Sequence, residues 1–154
     1  MRESPARLPS SPAFVLLLLI VRFALVLIIA NLLAFSERSY LSILTEDLVS
    51  TVVAMLLIWM ALAARSLGAR LLQTLGAYIG MEIVIYLLLG AILAFTGSLN
   101  DAPQLLVMLI TIWQIAIFAA ILHHAMNVPL GLGFAVSIGI LTMSVIAGRV
   151  AVGA

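Results

Sequence analysis

The sequence predicts an all-α membrane protein, a polytopic helical bundle with five transmembrane helices. Of its 154 residues, 66% are hydrophobic and only 8% are charged. The mean hydropathy of +1.35 lies far outside the range of soluble globular proteins. The apolar residues fall into five runs, and each run is long enough to cross the roughly 30 Å hydrocarbon core of a bilayer.

We expect a short disordered lead over residues 1–12, followed by a single transmembrane domain over residues 13–154. The lead is polar and contains three prolines, and it ends at Ser11, a favourable helix cap. The first apolar run is longer than the core of about 7–15 residues in a signal peptide, so we expect a retained helix. The predicted spans are residues 13–35, 48–64, 75–96, 104–122 and 129–148.

Two of the predicted connections contain polar residues that favour a position in water. Residues 36–47 form the first connection, in which Glu46 and Asp47 are expected to stay hydrated. Residues 97–103, with the sequence GSLNDAP, have the composition of a turn before the fourth span. Neither connection is long enough to fold into a domain of its own.

The distribution of arginine predicts that the amino terminus lies inside and the carboxy terminus outside. Four arginines lie on the predicted inner side and two on the outer side, which the positive-inside rule favours. All seven basic residues are arginine, which we interpret as the coding bias of a GC-rich bacterium. We therefore expect a multi-pass protein of a bacterial inner membrane. The inner arginines are Arg2, Arg7, Arg65 and Arg70, and the outer ones are Arg38 and Arg149.

One carboxylate, Glu82, lies inside the third predicted span, in the stretch YIGMEIVIY. An ionisable group near the bilayer centre costs roughly 2.5–3.5 kcal/mol, so it normally faces protein and has a partner. At ~1.5 Å per residue, Glu82 lies ~10 Å and Arg22 ~13 Å from the inner ends of their helices. Arg22 is therefore the predicted partner. Tyr78 and Tyr86 lie four residues to either side of Glu82, where both hydroxyl groups could donate to the carboxylate.

Three interpretations of this intramembrane charge network are open. Arg22 and Glu82 could neutralise each other and join the first helix to the third. Alternatively, Arg22 could extend to the membrane surface, or Glu82 could bind a proton or cation with an affinity that Arg22 tunes. A purely structural pair predicts that the Arg22→Ala/Glu82→Ala double variant accumulates normally while each single variant is degraded.

Small residues on two helices predict close contacts between helices. Gly76 and Gly80 form a GxxxG motif on the side of the third span roughly opposite Glu82. The partner helix at each small-residue face could belong to the same chain or to a second copy. The predicted partners are accordingly the lipid bilayer and either a second copy or another membrane protein. On the fifth span, one stripe contains Gly133, Ser137, Ser144 and Gly148.

Composition and motifs argue against enzymatic chemistry. The chain has no cysteine, which excludes disulfides, thiolate metal sites and cysteine nucleophiles. It also has no HExxH, GxSxG, Walker A or GxGxxG motif. The adjacent His123 and His124 point about 100° apart on a helix and cannot readily share a metal ion. We therefore predict no enzyme, cofactor or metal site, and the dispersed basic residues predict no nucleic-acid partner.

The carboxy-terminal hairpin has a tryptophan-led helix, a short polar corner and a last helix rich in glycine and alanine. Its sequence from Trp113 is WQIAIFAAILHHAMNVPLGLGFAVSIGI. This stretch resembles the corresponding part of prokaryotic Yip1-domain membrane proteins, and the resemblance implies five spans with the amino terminus inside. The acidic amino-terminal motif of the eukaryotic members, which act with small GTPases, is absent here. The resemblance therefore implies a fold and no residue role.

Two classes of function are compatible with these features. The first is a non-enzymatic scaffold, accessory or assembly subunit, because every polar feature has an adequate packing explanation. The second is a small transporter or a proton- or cation-coupled channel that uses Glu82. The second class predicts that Glu82 faces a cavity open to water and that Glu82→Gln abolishes flux without lowering the amount of protein.

Overall fold

A computed structural model describes residues 11–33, 39–96 and 104–153 of the chain. Within these ranges the protein is all-helical, and five helices are long and apolar enough to span a membrane. The predicted all-α class, with five helices long and apolar enough to span a membrane, is thus confirmed. The helices are α1 (Pro12–Leu33), α2 (Tyr40–Ala63), α3 (Leu71–Thr96), α4 (Gln104–Met126) and α5 (Leu130–Ala151).

The most consequential difference from the predicted boundaries is the start of α2. The sequence places residues 36–47 in a connection, whereas the helix already begins at Tyr40. The backbone carbonyl of Ser39 accepts the N–H groups of Ser42 and Ile43 and thereby starts the first turn. Helix α3 also begins earlier than predicted and α4 ends later. The predicted lead up to residue 10 and the turn at 97–103 lie outside the described residues.

Contacts at their ends show that the helices alternate in direction. At one end, which we call the Arg70 end, a guanidinium nitrogen of Arg70 donates to the carbonyls of His124, at 3.2 Å, and Ala125, at 3.1 Å. These carbonyls belong to the last turn of α4, so Arg70 caps that helix. At the opposite end, the Glu46 end, Glu46 near the start of α2 lies 4.0 Å from Arg149 near the end of α5.

The helices pack in a ring, and some helices that are adjacent in the ring are not consecutive in the chain. Helix α1 packs on α3, α3 on α4, α4 on α5 and α5 on α2, and α2 closes the ring against α1. Helix α2 also contacts α3. Helices α1, α2 and α3 therefore meet on one side of the bundle.

Aromatic and aliphatic side chains fill the interior of the ring. The rings of Tyr78 and Phe118 lie 5.0 Å apart between their centroids, and Ile58 of α2 is fully buried beside them in the same cluster. Many other large apolar side chains, including Trp59 and Phe95, are exposed on the outside of the bundle. An apolar exterior of this extent is unsuited to water and matches the surface that a membrane helix presents to lipid.

The small residues of α5 pack inside the chain. Gly133, Ser137, Ser144 and Gly148 are all buried. A Cβ atom on Gly133 would lie 2.7 Å from the carbonyl oxygen of Ala119 in α4. A Cβ atom on Gly148 would lie 2.7 Å from the carbonyl oxygen of Glu46 in α2. This stripe therefore holds α5 against α2 and α4.

The GxxxG pair of α3 behaves differently at its two glycines. Gly76 is buried, and a Cβ atom there would lie 3.8 Å from the ring of Phe14 and 3.9 Å from Val15, both in α1. At Gly80 no described atom lies within 4 Å of the corresponding position. Of the two glycines of the motif, only Gly76 therefore lies against α1 in the described part of the chain.

Replacing Gly148 with alanine is expected to destabilise the protein by about 1–3 kcal/mol, the usual cost of overpacking a tight contact. The added methyl group meets backbone of α2, which cannot rotate away as a side chain could. The thermal unfolding midpoint of the purified protein in detergent measures the effect. Gly139→Ala on α5 is the matched control, because a Cβ atom there meets no described atom within 4 Å. Equal midpoints for the two variants would contradict the close contact.

Candidate functional site

Helix α3 presents three polar side chains on one face. Tyr78, Glu82 and Tyr86 follow one another at intervals of four residues, and Tyr78 and Glu82 are buried. This spacing aligns their side chains along the helix. The hydroxyl of Tyr78 donates to Oε1 of Glu82 at 2.6 Å. One of the two predicted tyrosine donors therefore reaches the glutamate.

Helix α1 supplies the counter-charge. Nε of Arg22 donates to Oε2 of Glu82 at 2.5 Å. The Arg22 side chain is only 5% exposed and that of Glu82 10%. Arg22 therefore points into the bundle, and the alternative in which it extends to the membrane surface is wrong. The structure brings the two intramembrane charges into direct contact.

Helix α2 contributes a second carboxylate that sequence reasoning missed. Nη1 of Arg22 donates to Oδ2 of Asp47 at 2.9 Å, and Nη2 donates to Oδ1 at 2.9 Å. This two-pronged geometry matches the planar guanidinium fork and gives the strongest class of charge-assisted pair. The Asp47 side chain is 12% exposed. The expectation that Asp47 is hydrated in a connection is therefore wrong, because α2 begins before it and carries it into the bundle.

Tyr86 joins the arginine to this second carboxylate. Its hydroxyl donates to Oδ1 of Asp47 at 2.5 Å and accepts from Nη2 of Arg22 at 3.1 Å. The guanidinium carbon also lies 5.1 Å from the centroid of the Tyr86 ring, within the range of a cation–π interaction. The expected donation from Tyr86 to Glu82 is therefore replaced by donation to Asp47.

These side chains form one cluster, which we call the charge network: Arg22, Asp47, Tyr78, Glu82 and Tyr86. It joins α1, α2 and α3 at the place where the three helices meet. Every carboxylate oxygen in it accepts at least one hydrogen bond. Among the described residues, no buried side-chain nitrogen or oxygen lacks a hydrogen-bond partner. A buried polar network that is fully paired makes helix positions specific and avoids the cost of unpaired groups.

The spacing of residues along α2 indicates that Asp47 faces the interior of the bundle. The buried residues of α2 are Thr51, Ala54, Ile58 and Leu62, which recur at intervals of three or four. Asp47 lies four residues before Thr51 and thus extends the same stripe. Reading α2 as an amphipathic helix from Tyr40 would have placed Asp47 on its buried face.

The remaining sequence-predicted residues lie away from the charge network. His123 is in the last turns of α4, where its Nδ1 contacts the carbonyl oxygen of Val128, and the His124 ring lies 4.7 Å from it between centroids. In the described ranges, no group of three histidine, aspartate or glutamate side chains is placed to hold a metal ion. The small residues of α5 serve helix packing, as described above.

Comparison of the chain with protein-family models, characterised proteins and solved structures finds no match. The resemblance of the hairpin at residues 113–140 to Yip1-domain proteins therefore stays a prediction. What the protein does must be inferred from the geometry of its own residues.

Proposed function

We propose that this protein is a non-enzymatic, multi-pass membrane protein that acts as a scaffold, accessory or assembly subunit. The observation that supports this most is the complete pairing of the charge network, which joins three helices and leaves no carboxylate oxygen without a donor. A buried polar network whose hydrogen bonds are all made fixes the helices that carry it. The exposed apolar exterior would face lipid, a second copy or another membrane protein.

The charge distribution at the two ends supports an orientation with the amino terminus inside, in a bacterial inner membrane. Arg65 and Arg70 lie at the Arg70 end, where α1 begins, and the sequence adds Arg2 and Arg7 before that helix. At the Glu46 end lies Arg149, and the sequence adds only Arg38 before α2, so four arginines stand against two. The positive-inside rule then assigns the Arg70 end to the cytoplasm.

Purification from native membranes tests the scaffold proposal. The tagged chain, solubilised under mild conditions, is expected to bring down another membrane protein in a fixed ratio. The partner should remain bound at high salt, since the exposed surface of the helices is apolar. A chain that purifies only as a free monomer from its native membrane would contradict the proposal.

A second candidate is a small transporter or a proton- or cation-coupled channel that uses Glu82. The observation that favours it is that two carboxylates, Asp47 and Glu82, contact one guanidinium in the described part of the chain. A surplus acidic group inside a membrane is a common feature of proton and ion pathways.

Flux measured in proteoliposomes distinguishes this candidate from the scaffold. For a transporter, Glu82→Gln should abolish proton or cation flux while the amount of inserted protein stays unchanged. Glu46→Gln is the matched control, because Glu46 lies outside the charge network and should retain flux. If vesicles with the wild-type protein show no more flux than protein-free vesicles, the transporter hypothesis is contradicted.

A further inference from the structure

The charges in the described part of the network do not balance. Arg22 contributes one positive charge, and Asp47 and Glu82 contribute one negative charge each if both are ionised. The surplus negative charge would then lie in a region where all three side chains are at most 12% exposed. An uncompensated charge in such surroundings is strongly disfavoured, and a buried group commonly takes up a proton instead. The other described arginines lie at the two ends of the bundle: Arg65, Arg70 and Arg149.

Of the two carboxylates, Asp47 is the better stabilised anion. Both of its oxygens accept from the guanidinium fork at 2.9 Å, and Oδ1 accepts a further hydrogen bond from Tyr86. Glu82 accepts one N–H from Arg22 and one hydroxyl from the neutral Tyr78. Charge-assisted bonds and two-pronged pairs stabilise a carboxylate more than neutral donors do. The proton that neutralises the surplus negative charge is therefore expected on Glu82.

We propose that Glu82 is a proton-binding site, with one proton held on Oε1 and shared with the hydroxyl oxygen of Tyr78. These two oxygens lie 2.6 Å apart, so a protonated Oε1 can donate to Tyr78 along the existing contact. Oε2 continues to accept from Arg22. The proton comes from water, no other covalent bond changes, and the network becomes neutral. The hydroxyl hydrogen of Tyr78 turns away from Glu82, which costs less than an unpaired buried charge.

The groups that face Glu82 support a proton rather than a further ion pair. From α1 it faces Arg22, from α2 the network adds Asp47, and α3 itself supplies Tyr78 and Tyr86. Helix α4 contributes the apolar ring of Phe118 against Tyr78. Among the described residues of α4 and α5, no charged side chain makes a hydrogen bond or ion pair with the network. The proton would be present whether the charge network only fixes the helices or belongs to a transport pathway. The inference therefore rests on neither function.

Infrared spectroscopy of the purified protein in lipid at neutral pH tests the proposal. A protonated carboxyl group has a carbonyl stretch that is separate from the bands of carboxylates. Wild-type protein is expected to show this band, and labelling glutamate with carbon-13 should shift it. Labelling aspartate should leave it in place. Because this labelling uses the wild-type protein, it identifies the protonated residue type even where a variant fails to fold.

Three variants add independent readouts. Glu82→Gln should lose the band because the carboxyl group is gone. Asp47→Asn should lose it too, because Glu82 then balances Arg22 without a proton. Glu46→Gln should keep the band unchanged. A wild-type protein without the band, a band that shifts with labelled aspartate, or a band that persists in Glu82→Gln would overturn the proposal, whatever the flux measurements give.

Discussion

The Arg22→Ala variant is expected to lose most of its folded protein from the membrane. Removing the guanidinium leaves Asp47 and Glu82 in the bundle with no counter-charge among the described residues. Breaking a buried ion pair by removing one partner costs about 3–5 kcal/mol. Folded proteins are stable by only about 5–15 kcal/mol in total, so this loss is large enough to deplete the native state. The amount of folded protein in membranes and its unfolding midpoint in detergent measure the effect.

Two further variants show whether the effect belongs to the charge network. Arg65→Ala removes an exposed arginine at the Arg70 end and should behave like the wild type. Arg22→Lys retains the charge but cannot form the two-pronged pair with Asp47, so it should lie between the wild type and Arg22→Ala. If Arg22→Ala accumulates and unfolds like the wild-type protein, Arg22 does not hold the three helices together.

The Asp47→Ala variant is expected to lose about 3 kcal/mol of stability. The substitution leaves Nη1 of Arg22 and the Tyr86 hydroxyl without an acceptor, while Nη2 still donates to Tyr86. Each buried group left unpaired costs about 1–3 kcal/mol. The loss should be smaller than for Arg22→Ala, because Arg22 and Glu82 remain as a balanced pair. The unfolding midpoint and the amount of protein in the membrane again measure the change.

The neighbouring residue provides the control for Asp47. Glu46→Ala changes the adjacent carboxylate of the same helix, whose contact with Arg149 is longer, at 4.0 Å, and more exposed. Its effect should stay within about 1 kcal/mol, the usual range for a partly exposed ion pair. If Asp47 were hydrated in a connection, both variants would have this small effect. Equal results for Asp47→Ala and Glu46→Ala would therefore remove Asp47 from the network.

The sequence was sufficient to predict the helices and one charged pair. Long apolar runs report membrane-spanning helices directly, since a bilayer demands a minimum length of apolar chain. The contact between Arg22 and Glu82 was predictable because the two charges lie at similar depths in their spans. A costly buried charge restricts its possible partners, which makes this kind of pairing easier to predict than ordinary packing.

The other parts of the network depend on features that a hydropathy profile does not contain. Apolar length alone places Asp47 in a connection, because the apolar run of the second span begins after it. A helix can begin among polar residues when they pair with another helix, and Arg22 provides that partner. The position of Tyr86 on α3, four residues after Glu82, favours Glu82 as its acceptor. Its actual acceptor, Asp47, depends on how α2 crosses α3, which no local pattern specifies.

The packing of the small residues was predicted only in part. The stripe on α5 indicated a close contact but not its partner, which is the backbone of α2 and α4 in the same chain. At Gly133 and Gly148 the reason for a small residue is a carbonyl oxygen 2.7 Å from the position of a Cβ atom. The motif on α3 was indistinguishable from this stripe by composition, yet only Gly76 packs closely there.

The guanidinium of Arg22 joins two carboxylates from two different helices. The most direct test compares the unfolding midpoints of the Arg22→Met variant, the Arg22→Met/Glu82→Leu double variant and the triple variant that adds Asp47→Leu. Replacing a complete buried ion cluster by apolar residues of similar size is often neutral. We predict that the double variant stays destabilised, because Asp47 is still without its partner, and that the triple variant regains most of the stability. A double variant as stable as the wild type, or a triple variant no more stable than Arg22→Met, would contradict the pairing of Arg22 with both carboxylates.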